Sequence, residues 1–454
     1  MLKNQAHVEK KKKRTLSLKQ HIKQIIIILS VFVFIALCIK ACNVLYKSLF
    51  NSRSATKIVQ SKKPARTTKF SGTKFSGTKF SESVIKKILA GKNFLNSEKK
   101  NFNIIFQNES FQVNTSLDIE LQHFLVNKIN NLQKLGRGKP QQIAMVVMKP
   151  DSGQILALTG FDSLNPGTNP CFNNKFPAAS IFKIITASAA VEELGFTQYT
   201  PVYFNGGKYT LYKRQLENIK NKYTCKLSFA NAFAESINPV FGKIGKNRLK
   251  NKILKNYGDK FGFNKKIDSQ LMFEPSKLTI TDDPYEWAEI GCGFINTTTI
   301  SPIFAAIISS TIANDGKRVS PIIIDKIVDS KNNLIYDKKN LVQKETISKD
   351  SALIIQALMQ KTIETGTARK AFRGRKQDKI LSKLIIGGKT GSIYNKKHTI
   401  KYDWFTGFVK QIDNTTPENK GPLALSIIVG HGKYIGTRAS YYGKMIIKEY
   451  YKNI

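Results

Sequence analysis

The sequence predicts an α+β domain in which an antiparallel sheet flanked by helices packs against a helical subdomain, the whole preceded by one N-terminal transmembrane helix. Three observations carry that expectation. Residues 25–39 read IIIILSVFVFIALCI, with Ser30 the one polar residue. Strand-like runs lie at 142–160 and again at 383–432. Between them the apolar spacing is helical over long stretches.

Taken in chain order, the first 24 residues carry eight Lys or Arg against a single acid, Glu9. This positive flank before an apolar run reads as an uncleaved signal anchor, with residues 1–24 a cytoplasmic tail and the remainder outside the plasma (inner) membrane. Fifteen helical residues rise only ~22 Å, short of a hydrocarbon core of ~30 Å. The span is therefore placed at 25–46, with Lys23 and Lys40 snorkelling to the headgroups.

Residues 47–112 are read as a basic juxtamembrane linker. Between 51 and 81 there are eight basic residues and no acid, and the stretch ends in the repeat TKFSGTKFSGTKFS. Such a composition cannot bury a core, so it is expected to act as a tether beside an anionic surface. A helix and a strand are expected within 83–112, without chemistry of their own.

From about 113 to 454 the pattern becomes that of a folded domain. QIAMVVMK (142–149) and GQILALTG (153–160) flank the turn PDSG and predict a hairpin. KLIIGGKTGSI, YDWFTGFVK and LALSIIVGHG predict three more strands, and ASYYGKMIIKEYYKN a closing helix. The sheet is thus expected to be built from the two ends of the domain.

The net charge of +42 (73 Lys and Arg against 31 Asp and Glu) points to anionic company. The basic residues are spread along the chain rather than gathered into one patch with aromatics, so no nucleic-acid partner is expected. The five histidines are scattered and the five cysteines follow no metal-ligand spacing. Neither a metal site nor a histidine-based triad is indicated, and no cofactor is expected. Outside the membrane, Cys171 and Cys225 are candidates for a disulfide.

The segment FPAASIFKIITASAAVEELG (176–195) places Lys183 in a helix from Ser180 to Leu194 that is apolar nearly all round, with Gly195 as its stop. Residues i and i+3 share a helix face, so Ser180 and Lys183 lie one above the other. Burial lowers a lysine's pKa, and the neutral amine can take a hydroxyl proton. The S-x-x-K pattern alone is weak, since it also starts at Ser54, Ser71, Ser76, Ser83 and Ser97; only Ser180 opens an apolar helix. Further on, AFAESINPVFGKIG (232–245) holds Ser236 and Asn238, and IIGGKTGS (385–392) ends a strand in Lys389, Thr390 and Gly391. S-x-N also occurs at Ser163 and Ser330, whereas K-T-G occurs once.

In this order the chain resembles the penicillin-binding proteins and serine β-lactamases, whose active sites are built from S-x-x-K, S-x-N and K-T-G. Weaker landmarks agree: TSLDIELQ (115–122), the stretch 290–317, ETGTARKA (364–371) and DWFTGF, so the likeness covers about 113–454. It implies the transpeptidase fold of a monofunctional, class B-like penicillin-binding protein. It also implies a peptidoglycan D,D-transpeptidase acting through a serine acyl-enzyme. Ser180 would be the nucleophile and Lys183 its base, Ser236 would relay a proton, and Asn238 would hold Lys183 and the substrate backbone. Lys389 would add positive charge, Thr390 and Ser392 would bind the terminal carboxylate, and Gly391 would let substrate lie along the strand edge. The backbone N–H groups of Ser180 and Ser392 would form the oxyanion hole. The implied partners are peptidoglycan stem peptides, β-lactams as covalent inhibitors, the membrane, and a cell-wall synthesis complex.

Two departures stand out. Cys292 occupies the position between the glycines of GCGF where relatives often carry glutamine, and is read as a small buried thiol. The 47–112 segment is too short for the glycosyltransferase of bifunctional relatives, and its brevity leaves docking to a large complex open. A D,D-carboxypeptidase of the same fold is the alternative within the family. A β-lactamase or a penicillin-sensing receptor fits less well, and a non-catalytic membrane-tethered binder of anionic polymer is the alternative from another class.

Overall fold

The computed structural model describes residues 80–89, 91–337, 343–413 and 420–454. The expected transmembrane span at 25–46 and the tether up to residue 79 lie outside the described residues. Among the described residues no helix is long and apolar enough to cross a membrane.

A five-stranded antiparallel sheet organises the molecule, in the order Leu384–Tyr394, Lys401–Gln411, Leu423–His431, Pro140–Met148, Ile155–Asp162. It is assembled from the two ends of the domain, as the strand patterns predict. Successive residues of a strand face opposite sides. Ile143, Met145 and Val147 therefore join one core cluster, while Ala144, Val146 and Met148 join the other. Because both faces are covered, the strands read as nearly continuous apolar runs.

One face carries the helices Ile119–Gln133 and Ala439–Tyr450, through Leu121, Leu125, Ile446 and Ile447. Against the other lies Pro302–Ala313, a helix with all 12 residues buried. Ser301 caps it by accepting from Phe304 N, and Pro302 opens its first turn. The Thr406 hydroxyl, inside the sheet, donates to Ala305 O at 2.8 Å and ties this helix to the strands. The helical subdomain completes that side and includes Lys183–Leu194, Phe229–Ala234, Asn238–Lys243 and Lys349–Glu364.

The folded unit begins N-terminal to residue 113. Helix Glu82–Leu89 and the hairpin Asn101–Phe106/Glu109–Thr115 lead into a four-stranded sheet with Ile324–Asp329 and Leu334–Asp337. Phe80, Phe111 and Val113 are buried in its interior. Gln107 and Asn108 make the hairpin turn with φ of 52° and 65°. That geometry is usually signalled by Asn-Gly, so the second strand leaves little trace in the sequence.

Cys171 and Cys225, a candidate pair whose bonding the sequence left open, form no disulfide, and both thiols are free. Cys171 is fully buried, its Sγ donating to Met145 O and Thr159 O at 3.7 and 3.6 Å, whereas Cys225 is exposed. One is core and the other surface.

Candidate active site

The segment before Ser180 is held from two sides. Phe176–Pro177 pairs with Thr299–Ile300, and Trp404 Nε1 donates to Pro177 O at 2.9 Å. Ala179–Phe182 then forms a 3₁₀ turn, and the α-helix runs from Lys183 to Leu194, ending at Gly195 with φ 63°. The expected helix start at Ser180 is thus a tighter turn. Residues i and i+3 eclipse in a 3₁₀ turn, which sets Ser180 directly over Lys183.

Lys183 is fully buried. Its Nζ lies 2.8 Å from Ser180 Oγ and donates to Asn238 Oδ1 at 2.8 Å and Cys292 O at 2.6 Å. Burial pulls its pKa down to about 8, because the ammonium has lost its water. Cys292 is buried as expected, and burial pushes its thiol up to about 11, so it stays neutral. Its Sγ turns away to Glu289 O at 3.5 Å; the backbone carbonyl is what faces Lys183.

Ser236 sits between two short helices with φ 58°, a left-handed conformation costly for a residue with a side chain. Asn238 is oriented by both ends of its amide: Oδ1 accepts from Lys183, and Nδ2 donates to Tyr209 O at 2.9 Å. Lys389 comes from the edge strand of the five-stranded sheet and is also fully buried. Its Nζ donates to Ser236 Oγ and Thr390 O, each at 2.8 Å. Burial, and then the neighbouring Lys183 ammonium, hold its pKa well below the usual lysine range. The two lysines thus resist carrying two positive charges at once.

Close backbone approach joins these parts. A Cβ on Gly391 would stand 3.2 Å from Ala179 Cβ and 3.3 Å from Ser180 N, and one on Gly293 (φ 72°) would stand 1.9 Å from Ala179 O. Ala179 between them is itself strained at φ 47°. The result is a cavity of about 1000 Å³ lined by Ser180, Ser236, Asn238, Thr390, Gly391 and Ser392. All eight residues singled out in the sequence come together here, six on the cavity wall and the two lysines beneath it.

Thr367, which sequence reasoning passed over, also lines the cavity and shares a hydrogen bond with the Thr390 hydroxyl. Its signal was the ETGTARKA segment. The carbonyls of Cys292 and Tyr209 contribute through the backbone and leave no side-chain signature. Nor do the rings of Phe241 and Phe233, which lie 5.6 and 5.5 Å from the nitrogens of Lys183 and Lys389. Among the described residues no group of three His, Cys, Asp or Glu is placed to hold a metal. What the arrangement offers is a serine hydroxyl facing an amine with a lowered pKa, which is the apparatus of nucleophilic acyl transfer.

Comparison with known proteins gives the same direction. Residues 143–417 match the family described as the penicillin binding protein transpeptidase domain. Penicillin-binding protein 1B of Haemophilus influenzae is 26% identical over 291 residues, covering 62% of this chain and 33% of that protein. Penicillin-binding protein 1A of Neisseria lactamica is 28% identical over 282 residues, covering 59% and 31%. The chain thus spans about a third of the length of these curated relatives. Among solved structures, the D,D-transpeptidase domain of a peptidoglycan glycosyltransferase from Eggerthella lenta aligns with a TM-score of 0.59 at 21% identity, covering 84% of this chain and 88% of that one. Penicillin-binding protein A of Mycobacterium tuberculosis, as its ceftriaxone acyl-enzyme, aligns at 0.58 and 20% identity over 74% and 79%. At these identities the structural likeness shows the fold. The sequence match covers more than half of the chain, and the protein belongs to the penicillin-binding protein transpeptidase-domain family.

Proposed function

We propose that the protein is a membrane-anchored D,D-transpeptidase that crosslinks peptidoglycan stem peptides through an acyl-enzyme on Ser180. The observation that carries this is the 2.8 Å approach of a buried Lys183 amine to Ser180 Oγ. Ser180 Oγ forms a bond to the penultimate D-alanine carbonyl carbon while its proton passes to Lys183 Nζ. The negative charge on the carbonyl oxygen is met by the N–H groups of Ser180 and Ser392. As the C–N bond breaks, the departing D-alanine nitrogen takes a proton relayed through Ser236, which Lys389 holds at 2.8 Å. Thr390 and Ser392 anchor the terminal carboxylate, with Lys389 buried beneath them; because burial lowers its pKa, the standing positive charge expected of Lys389 from the sequence is weakened. An amine of a second stem peptide then attacks the ester, returning the proton and freeing Ser180. A β-lactam enters the same first step and remains as the ester.

The anchor at 25–46 would hold this chemistry at the outer face of the plasma membrane, where its substrate lies. The test is to incubate the full chain with a D-alanyl-D-alanine pentapeptide, with and without an amine acceptor. Mass spectrometry should find an acyl-enzyme and an amide product that requires the acceptor. Release of the hydrolysed peptide alone, whatever acceptor is present, would replace transpeptidation with carboxypeptidation.

A further inference from the structure

We propose that a second cavity, lined by Arg369, Arg373, Arg375 and Lys376, is a binding site for a soluble phosphate ester. It measures about 420 Å³ and is distinct from the cavity that holds Ser180. One segment serves both: Thr367, Lys370 and Ala371 line the cleft, while Arg369, Phe372 and Arg373 line the second cavity. The site goes beyond the acyl transfer proposed above and does not depend on it.

The segment that carries the arginines is pinned along its length. At its start Thr367 N donates to Ala234 O at 3.0 Å. Phe372 is buried, with its ring 5.9 Å from that of Phe405. Asp378 closes the segment, its Oδ1 accepting from Ile380 N and Leu381 N at 3.1 Å and its Oδ2 from Lys448 Nζ at 2.7 Å. Between these anchors Gly374 turns with φ 77°, and Arg373 and Arg375 flank it on the cavity wall. The backbone that presents them is therefore set before a ligand arrives, which lowers the ordering cost of binding.

Residue type makes the cluster specific. Of the 73 basic residues, 62 are Lys and 11 are Arg. A lysine-rich composition accounts for lysines anywhere, yet three of those 11 arginines fall within 369–375 and line one cavity. A guanidinium is a planar fork that pairs two oxygens at once, whereas an ammonium is a point charge. Glu364 is the one carboxylate on the wall, and its Oε1 lies 3.1 Å from Arg375 Nη2. Among the described residues Arg369, Arg373 and Lys376 have no ion-pair partner. A phosphate ester brings more acceptor oxygens than a carboxylate and so satisfies more of these forks. A recess also suits a group carried on a stalk, whereas a flat layer of lipid headgroups would stay outside it.

The experiment titrates glycerol 3-phosphate into the full chain in neutral detergent at fixed ionic strength, read by calorimetry, with acetate as the carboxylate comparison. Binding should saturate at one site per chain, with acetate about tenfold weaker. Arg369→Lys/Arg373→Lys keeps the charge but removes the forks, and should weaken binding about tenfold. Lys99→Gln/Lys100→Gln, which removes two exposed charges elsewhere, should bind as wild type. Melting temperature and penicillin labelling of both variants should match wild type. Should the arginine variant not fold, protection replaces it: glycerol 3-phosphate should shield Arg369 and Arg373 of the wild type from phenylglyoxal and leave exposed Arg137 reactive. Absence of saturable binding, an arginine variant that binds like wild type, an equal loss in the lysine control, or modification of Arg369 and Arg373 unchanged by the ester overturns the site. Binding confined to micelles doped with phosphatidylglycerol, with none of the soluble ester, also overturns it and makes this face a lipid contact.

Discussion

Lys183 Nζ and Ser180 Oγ lie 2.8 Å apart, and the two other partners of that nitrogen, Asn238 Oδ1 and Cys292 O, can only accept hydrogen bonds. A neutral amine has two N–H groups and one lone pair. The two carbonyl oxygens take the N–H groups, which leaves the lone pair for the one neighbour able to donate, the Ser180 hydroxyl. When Lys183 is neutral, this arrangement turns its lone pair toward the Ser180 hydroxyl, the orientation that the proposed proton abstraction needs.

Acylation should follow the deprotonation of Lys183. With its pKa lowered to about 8 by burial, the neutral form grows as pH rises through that value. The rate of penicillin acylation should therefore climb between pH 7 and 9 and level off above. Lys183→Arg, which stays protonated throughout, should lose about 10³-fold in rate and show no such rise.

Asn238→Asp supplies an anionic neighbour at the same place. An opposite charge stabilises the ammonium, so the lysine pKa moves up and the pH–rate profile shifts to the alkaline side by about 1–3 units. At pH 7 acylation falls, and raising the pH partly restores it. A profile that drops without shifting would mean that Asn238 acts on the substrate and not on Lys183.

Gly293→Ala should damage fold and site together. Its Cβ would stand 1.9 Å from Ala179 O, at a φ of 72° that alanine adopts only under strain. The expected loss is about 2–4 kcal/mol of stability, read from denaturant unfolding, with acylation slowed because Ala179 immediately precedes Ser180, the proposed nucleophile.

The thiols offer an independent check on the fold. Cys225 should react with a maleimide in the native protein, while Cys171 and Cys292, both fully buried, should react only after unfolding. Reductant should leave the melting temperature unchanged, because these three cysteines are free.

What could be read from the sequence divides along physical lines. The five-stranded sheet was legible because its strands are rich in Ile, Val and other apolar residues and bounded by turns, and Lys183 stood out because a cation in an apolar helix demands a reason. The hairpin at 101–115 was nearly silent, since its turn is Gln107–Asn108 and its outer strand is half-exposed. At the site, the side chains that act directly sat in recognisable patterns. Cys292 O and Tyr209 O act through backbone any residue could supply, and Thr367 becomes relevant only once the fold brings it to Thr390. Whether Cys171 and Cys225 pair was not legible, because proximity to active-site segments in sequence says nothing of depth: Cys171 lies in the core and Cys225 on the surface.

The most direct measurement is covalent labelling of the full chain by a fluorescent penicillin, beside Ser180→Ala, with the modified peptide identified by mass spectrometry. The account predicts one label per chain, on the peptide containing Ser180, stable to gel electrophoresis and lost in the variant. Labelling that persists in Ser180→Ala, or a wild-type protein that takes no label at any pH between 7 and 9, would contradict it.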